Sequence, residues 1–329
     1  MPRVIRFHEI GGPEVLRIEH ADIPPPGAGE VRIRVKALGL NRAEALMRRG
    51  TYLETPELPA GLGFEAAGVV ESLGDGVTGF EPGDAVSVIP APSQVQWPAY
   101  GTLATFPARL VVRNPASLGW VEAAALWMAY VTAYGALVDI ARLGRGEIAA
   151  ITAASSSVGL AAIQIARHLG AVPVAITRTS AKKSALLEAG AAEVIASAEE
   201  DLEARLKAIA GPAGVRLVFD AVGGPAIAPL TAAMAHGGIL IGYGVLSSDP
   251  APLPLFTMLA KSLTLRGYVL HELTADPARL AAAKLFILDA LASDAVKPVI
   301  ARTFPFEAIV EAHRFMESNE QFGKIVVTV

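Results

Sequence analysis

Residues 148–180 read IAAITAASSSVGLAAIQIARHLGAVPVAITRTS, and this stretch decides the fold. It opens on a short apolar run, 148–153, followed by the small residues Ser155, Ser156 and Ser157 after Ala154. Next, Val158, Ala161, Ala162, Ile165 and Leu169 recur at the spacing of one helix face, and Gly170 ends the pattern. A second apolar run, 172–176, follows. Strand, tight turn, helix and strand make a βαβ unit, because parallel strands need a crossover. Small side chains in the turn let backbone N–H groups approach an anion at the helix N-terminus, where the helix dipole favours negative charge. The dinucleotide fingerprint G-x-G-x-x-G places three glycines there. Here Ala154, Ser156 and Gly159 hold those positions, so only the glycine that lets helix and strand pack closely is kept. Small residues also open many buried helices, so the turn alone leaves nucleotide binding and plain core packing both open.

Working outward, a helix at 121–137 precedes this unit. Helices at 181–189, 201–210 and 226–235 alternate after it with strands at 193–195, 215–220 and 239–242. That alternation predicts an α/β fold with a doubly wound parallel sheet. Residues 1–118 read as mostly β, with strands at 4–7, 15–18, 30–40, 66–73 and 84–88 and a helix near 42–49. Turn sequences such as Gly11-Gly12-Pro13, Gly74-Asp75-Gly76 and Glu81-Pro82-Gly83-Asp84 separate the strands, a pattern that favours a barrel or sandwich. Helices at 277–292 and 306–318 and strands at 299–304 and 324–329 return to that first domain. The expected division is 1–119 with 271–329, and 120–270 inserted between them.

A chain of 329 residues that is 52% hydrophobic and 18% charged has room for two cores. No apolar run approaches the roughly 20 residues of a membrane helix, and the N-terminus MPRVIRFHEIGG turns charged too early for a signal peptide. The net charge of −4 and the lack of a basic run speak against nucleic acid as a partner. Cysteine is absent, which removes disulfides, thiolate zinc sites and cysteine nucleophiles together and fits a cytoplasmic setting.

With these residues in view, the chain resembles the medium-chain dehydrogenases/reductases, in the zinc-free NADPH:quinone oxidoreductase (zeta-crystallin-like) branch. The resemblance runs nearly end to end, through NRAEALMRRGTY (41–52), GLGFEAAGVVESLGDGV (61–77), FEPGDAV (80–86), EAAALWMAYVTAYGAL (122–137), SSSVGLAAIQIARHLGA (155–171), VFDAVGG (218–224) and FGKIVV (322–327). It implies a GroES-like β-barrel catalytic domain built from both chain ends, a Rossmann domain inserted in it, NADPH as cofactor, a quinone or related carbonyl as substrate, and a homodimer joined at the Rossmann sheet edge near 253–265.

Zinc enzymes of this superfamily take a catalytic metal from a Cys and a His that correspond here to Asn41 and Phe64. The histidines at 8, 20, 168, 236, 271 and 313 show no ligand spacing. A metal site is therefore not expected, and Glu65 is expected to be a hydrogen-bonded structural carboxylate. Reducing an activated double bond needs only a hydride donor and one hydrogen-bond donor for the developing oxyanion. Tyr52, in the loop Gly50-Thr51-Tyr52, matches the pocket tyrosine of the quinone reductases; its plainer alternative is a surface-loop side chain. Asn41 matches the family asparagine at the vacated metal position, where its amide would hold a quinone oxygen or the nicotinamide ribose; the alternative is a turn cap. Leu46 replaces a second pocket tyrosine of some relatives. Trp97 and Tyr100, in a distinctive segment 90–100, either line a pocket or cover the barrel.

The second strand of the Rossmann unit ends in Ile176-Thr177-Arg178-Thr179-Ser180 followed by Lys182 and Lys183, with no carboxylate before Glu188. NAD sites place a carboxylate there to hold ribose hydroxyls. Arg178, Thr179 and Lys182 instead suit a 2′-phosphate, and Lys182 aligns with the family's phosphate-binding lysine. Ser197 replaces a family tyrosine beside the adenosine. By resemblance, Thr132 lies near the nicotinamide end, and Ser156, Ser157, Val158 and Gly159 form the pyrophosphate turn. Asp220, Val222, Gly242 and Tyr243 end strands where such folds bind ligands. Lys324 either reaches the cofactor or is a surface lysine. The residues thus point to an NADPH-dependent reductase of quinones or α,β-unsaturated carbonyls. A 2-enoyl thioester reductase, whose substrate wants a basic entrance for which Arg42, Arg48 and Arg49 are candidates, and a non-catalytic NADPH-binding protein are the alternatives.

Overall fold

The computed structural model describes all residues, Met1–Val329. They form two compact units, Met1–Met128 with Pro298–Val329, and Ala129–Lys297. These boundaries differ from the division at 119 and 271 expected from sequence. The helix Pro277–Ala292 belongs to the second unit, where Arg279 pairs with Asp139 at 2.5 Å and Phe286 packs on Tyr134 and His168. Apolar periodicity shows that a helix buries a face; it does not say on which domain.

In the first unit, strand Glu30–Gly39 is the hub. It pairs antiparallel with Glu65–Leu73, Leu103–Pro107 and Lys324–Thr328, so both chain ends meet in one seven-stranded sheet. Val31, Ile33 and Val35 of the alternating run are buried while Arg34 faces outward, as period-two patterning requires. A smaller sheet joins Leu16–His20, Arg3–Phe7 and Ala60–Gly61. Helix Arg42–Arg48 leaves the end of the hub strand, and helix Ile309–Ser318 packs near it.

The second unit is a six-stranded, wholly parallel sheet in the order Glu193–Ala196, Val172–Thr177, Ile148–Ile151, Val215–Asp220, Met234–Gly242, Thr264–Gly267. This is the dinucleotide-binding order, with the reversal between Ile148–Ile151 and Val215–Asp220. Val174, Ile176, Ile195, Val218 and Leu240 carry its core. The single helix expected at 121–137 is broken into Trp120–Ala123, Trp127–Tyr134 and a wider turn at Gly135–Ile140. No helix is long and apolar enough to cross a membrane.

Candidate active site

In the barrel unit a buried charge network surrounds the start of helix Arg42–Arg48. Asn41 caps that helix, and the Glu44 carboxylate reaches back to accept the Asn41 backbone N–H at 2.5 Å, one half of a capping box. Both amide hydrogens of Asn41 are spent inside the protein, donating to Gly39 O at 3.2 Å and Glu44 Oε1 at 3.1 Å. Its Oδ1 accepts from Lys324 Nζ at 2.6 Å. Lys324 Nζ also donates to Glu65 Oε2 at 2.5 Å, and Glu65 Oε1 accepts the Met128 N–H at 3.0 Å. Glu44 Oε1 takes a further bond from the Phe64 N–H at 3.2 Å. Glu44 and Glu65 are wholly buried and Lys324 is 1% exposed. Burial pushes the Glu44 carboxyl up to about 7, against the opposing pull of Lys324 and its hydrogen bonds.

One alternative falls here. Lys324 is not a surface lysine: it is buried, and its ammonium is the counter-ion of Glu65. Asn41 caps the helix, as its turn-cap alternative has it, and also holds Lys324. Glu65 is the hydrogen-bonded structural carboxylate expected. Asn41 and Phe64 occupy the two metal-ligand positions, and no three His, Cys, Asp or Glu side chains converge as a metal would need.

Tyr52 is half-buried, its ring edge-on to Phe64 with centroids 6.0 Å apart. Burial first, then the neighbouring Glu44 and Glu54 carboxylates, pushes its phenol up to about 12. The phenol is thus protonated at neutral pH. Trp97 is half-buried and donates to Glu30 at 2.9 Å, and Tyr100 is buried against His313, so Tyr100 belongs to the barrel core.

In the Rossmann unit the fingerprint turn is half-exposed at Ser155, Ser156, Ser157 and Val158. Ser156 caps helix Ser157–His168 by accepting the Gly159 N–H at 3.0 Å. A Cβ on Gly159 would sit 2.7 Å from Ala154 Cα and O, so the helix packs on the strand as closely as its glycine suggests. Turn strain sits one residue earlier than the fingerprint, at Ala153, with φ of 46°. At the strand-order reversal, Thr152 Oγ1 donates to Asp220 Oδ1 at 2.6 Å and accepts the Ala221 N–H at 2.9 Å. Asp220 also accepts from Val222 N at 3.0 Å and Gly223 N at 2.8 Å. With both oxygens engaged and the residue 1% exposed, Asp220 shapes the Val222 turn. Gly242 ends its strand, and the Tyr243 ring stacks on Phe219 at 4.0 Å. The buried Tyr243 hydroxyl lies beside Ser156 without closing a well-aligned hydrogen bond, and burial, then Asp220, raises its pKa. Thr132 is buried in helix Trp127–Tyr134.

Arg178 and Thr179 are exposed at the end of the second strand. Lys182 Nζ lies 3.3 Å from Ser155 Oγ and so ties this loop to the fingerprint turn. Sequence reasoning missed Glu199, whose carboxylate accepts the Ser180 N–H at 3.1 Å. It lies beyond the strand that follows, where no linear spacing would flag it. Glu44 was also missed, although its place three residues after Asn41 carries the capping-box spacing.

A barrel unit fed by both chain ends, with a parallel dinucleotide-order sheet inserted, defines a two-domain oxidoreductase architecture. Comparison with known proteins makes the relationship specific. Residues 27–119 match the family described as alcohol dehydrogenase GroES-like domain, and residues 157–284 match zinc-binding dehydrogenase. The quinone oxidoreductase of Rattus norvegicus is 33% identical over 99% of this chain and 97% of its own. Quinone oxidoreductase 1 of Escherichia coli is 32% identical over 97% of each. The crystal structure of Escherichia coli quinone oxidoreductase complexed with NADPH superposes with a TM-score of 0.91 at 30% identity, covering 100% of both chains. The chain belongs to the quinone oxidoreductase family of the medium-chain dehydrogenases/reductases.

Proposed function

We propose that this protein reduces quinones or related α,β-unsaturated carbonyls with NADPH, without a metal ion, and works as a homodimer. The observation that carries the chemistry is the Tyr52 phenol, kept protonated beside a buried network in which Asn41 and Phe64 stand at the metal positions and Lys324 is the only ammonium. The similarity to quinone oxidoreductases, one of them complexed with NADPH, supports the substrate class and cofactor. The donor set does not fit zinc, which wants thiolate and imidazole in tetrahedral array.

When bound, NADPH supplies the hydride. The half-exposed turn at Ser157 and Val158 and the helix dipole suit its pyrophosphate. Arg178, Thr179 and Lys182 suit its 2′-phosphate, with Arg178 offering a planar fork. As hydride reaches the substrate, negative charge builds on a carbonyl oxygen, and Tyr52 donates a hydrogen bond to it. An ordinary phenol titrates near ~10, so a hydroquinone anion is too weak a base to take the Tyr52 proton. With quinones the phenol therefore holds the oxygen and water completes the product. An enolate is a stronger base, and with enones Tyr52 also delivers the proton, which water then restores to the phenolate.

Against the thioester alternative, the basic residues that would greet a phosphorylated handle already have partners within the protein, although Arg49 is exposed. Arg42 donates to Met316 O at 2.9 Å and to Asn319, and Arg48 and Arg49 both pair with Glu317. For the dimer, strand Thr264–Gly267 is one of the two edges of the parallel sheet, and Leu253, Leu255, Phe256 and Leu259, which precede it in the chain, are 63%, 55%, 91% and 70% exposed. An apolar patch of this kind and a free edge call for a partner.

The deciding experiment measures NADPH oxidation with quinones, enones and enoyl thioesters for the wild type and Tyr52→Phe. The expected outcome is turnover of the first two. The variant should lose about 10²–10³ in kcat with enones, less with quinones, and nothing in NADPH affinity. Turnover of thioesters alone, or of nothing, refutes the assignment; unchanged rates in the variant return Tyr52 to the surface loop. Light scattering should give twice the chain mass, falling to one chain in Phe256→Glu.

A further inference from the structure

Tyr52 lies on irregular chain, which does not by itself hold a phenol to the accuracy that stabilising a developing charge demands. The loop leaves helix Arg42–Arg48 through the Thr51 N–H, which donates to Leu46 O at 3.0 Å. Two residues beyond Tyr52, the Glu54 carboxylate spans to the segment 90–100. Its Oε2 accepts the Gln94 N–H at 3.1 Å and its Oε1 accepts the Ser93 hydroxyl. Ser93 Oγ in turn accepts the Gln96 N–H at 2.9 Å, which stiffens that segment. Gln94 is wholly buried, and its Oε1 accepts the Gly63 N–H at 3.2 Å. Gly63 has φ of 103°, and a Cβ on it would lie 2.2 Å from Tyr100 Cδ1, so only glycine fits this anchor point. Gly63 precedes Phe64, the ring on which Tyr52 rests. The contacts therefore close a circuit: Tyr52, Glu54, Gln94, Gly63, Phe64 and back to Tyr52. Gln94 Nε2 is buried without a partner. Leaving a buried donor unsatisfied is unfavourable, so the bond made by the other end of that side chain is what justifies its place.

We propose that Glu54 is a positioning residue: through Ser93 and Gln94 it clamps the Tyr52 loop onto the segment 90–97 and aims the phenol at the substrate oxygen. This rests on the role proposed above for Tyr52. The segment 90–97 then governs reactivity without touching substrate, by fixing the phenol from behind.

A double-mutant cycle on kcat, joined to a probe of the ring itself, tests the clamp. Glu54→Ala should lower kcat with an enone roughly ten- to a hundredfold, with NADPH affinity unchanged, and Glu54→Gln, which keeps an acceptor, should recover part of the loss. In the Tyr52→Phe background Glu54→Ala should cost less than about twofold more, because the group it acts through is gone. Losses that multiply would show a merely structural carboxylate and overturn the proposal. Independently of activity, 3-fluorotyrosine placed at position 52 should give one shifted fluorine resonance in the wild type, and a line moved toward the free amino acid in Glu54→Ala. An unmoved line overturns the clamp. If Tyr52→Phe alone leaves rates intact, the catalytic role of Tyr52 falls, while the fluorine signal still decides whether Glu54 holds the ring. Should Glu54→Ala not fold, Ser93→Ala, which removes one of the two bonds, takes its place in both measurements.

Discussion

Lys324 in the barrel unit and Lys182 in the Rossmann unit are both cations at sites with chemistry to do, yet their settings are opposite. Lys324 is 1% exposed and bonded to Glu65 and Asn41. Lys182 is half-buried at a rim it shares with exposed Arg178, and Ser155 is 3.3 Å away. The barrel's charges balance one another inside the protein; those on the rim lie at the surface, where the proposed function puts the 2′-phosphate. An internal charge pair is a condition of folding, because a lone buried charge is costly. A rim charge is nearly neutral for folding and acts on binding.

The sharpest way to break this contrast is to neutralise each lysine. Lys324→Met strands Glu65 and Glu44 without their cation, and urea unfolding should show a loss of about 3–5 kcal/mol. Lys182→Met should stay within about 0.5 kcal/mol of wild type. Equal effects would mean that the two settings do not differ as described.

The pH dependence of stability sharpens the comparison within the barrel. Burial, then Arg48 and Arg42, pushes His313 down to about 3. Its folded pKa lies below the unfolded value, so the unfolded chain binds the proton first, and stability present above about 6.5 is lost as pH falls toward 3. Glu44 runs the other way. With its folded pKa raised to about 7, stability present below about 4.5 declines as pH rises through that window. At about 1.4 kcal/mol per pKa unit, the contributions are of the order of 3 kcal/mol for Glu44 and 5 kcal/mol for His313. His313→Gln should flatten the acid limb, and Glu44→Gln should remove the decline between pH 4.5 and 7. Unfolding curves across pH that coincide with wild type would refute the assignment.

On the rim, the expected effects are on binding. Arg178→Ala should weaken NADPH by about 1.5–3 kcal/mol, tenfold to a hundredfold, and NADH hardly at all. Equal losses for both cofactors, read by titration calorimetry, would separate Arg178 from the 2′-phosphate. The smallest effect concerns Glu199, which holds the Ser180 N–H beside the same rim. Removing its like charge with Glu199→Gln should tighten NADPH by about 0.3–1 kcal/mol, and weaker binding would show that its hydrogen bond outweighs its charge.

What could be read without coordinates was whatever repeats or sits close along the chain. The βαβ unit at 148–180, the alternation at 31–35, the small residues of the turn and the basic residues without a carboxylate after Thr177 were legible, because helix and strand periodicity and turn chemistry are local. Resemblance added the barrel and the position of Tyr52. Tertiary structure alone decided which distant groups meet. Lys324 is 259 residues from Glu65, its ion-pair partner. Glu199 reaches Ser180 across 19 residues, and Glu54 reaches Gln94 across 40. The helix Pro277–Ala292 sides with a unit its sequence position did not suggest. A carboxylate or lysine looks the same in sequence whether it ends in solvent or inside the protein. Its protonation, partners and role follow from burial and from charges brought within reach by folding, and no local pattern encodes those.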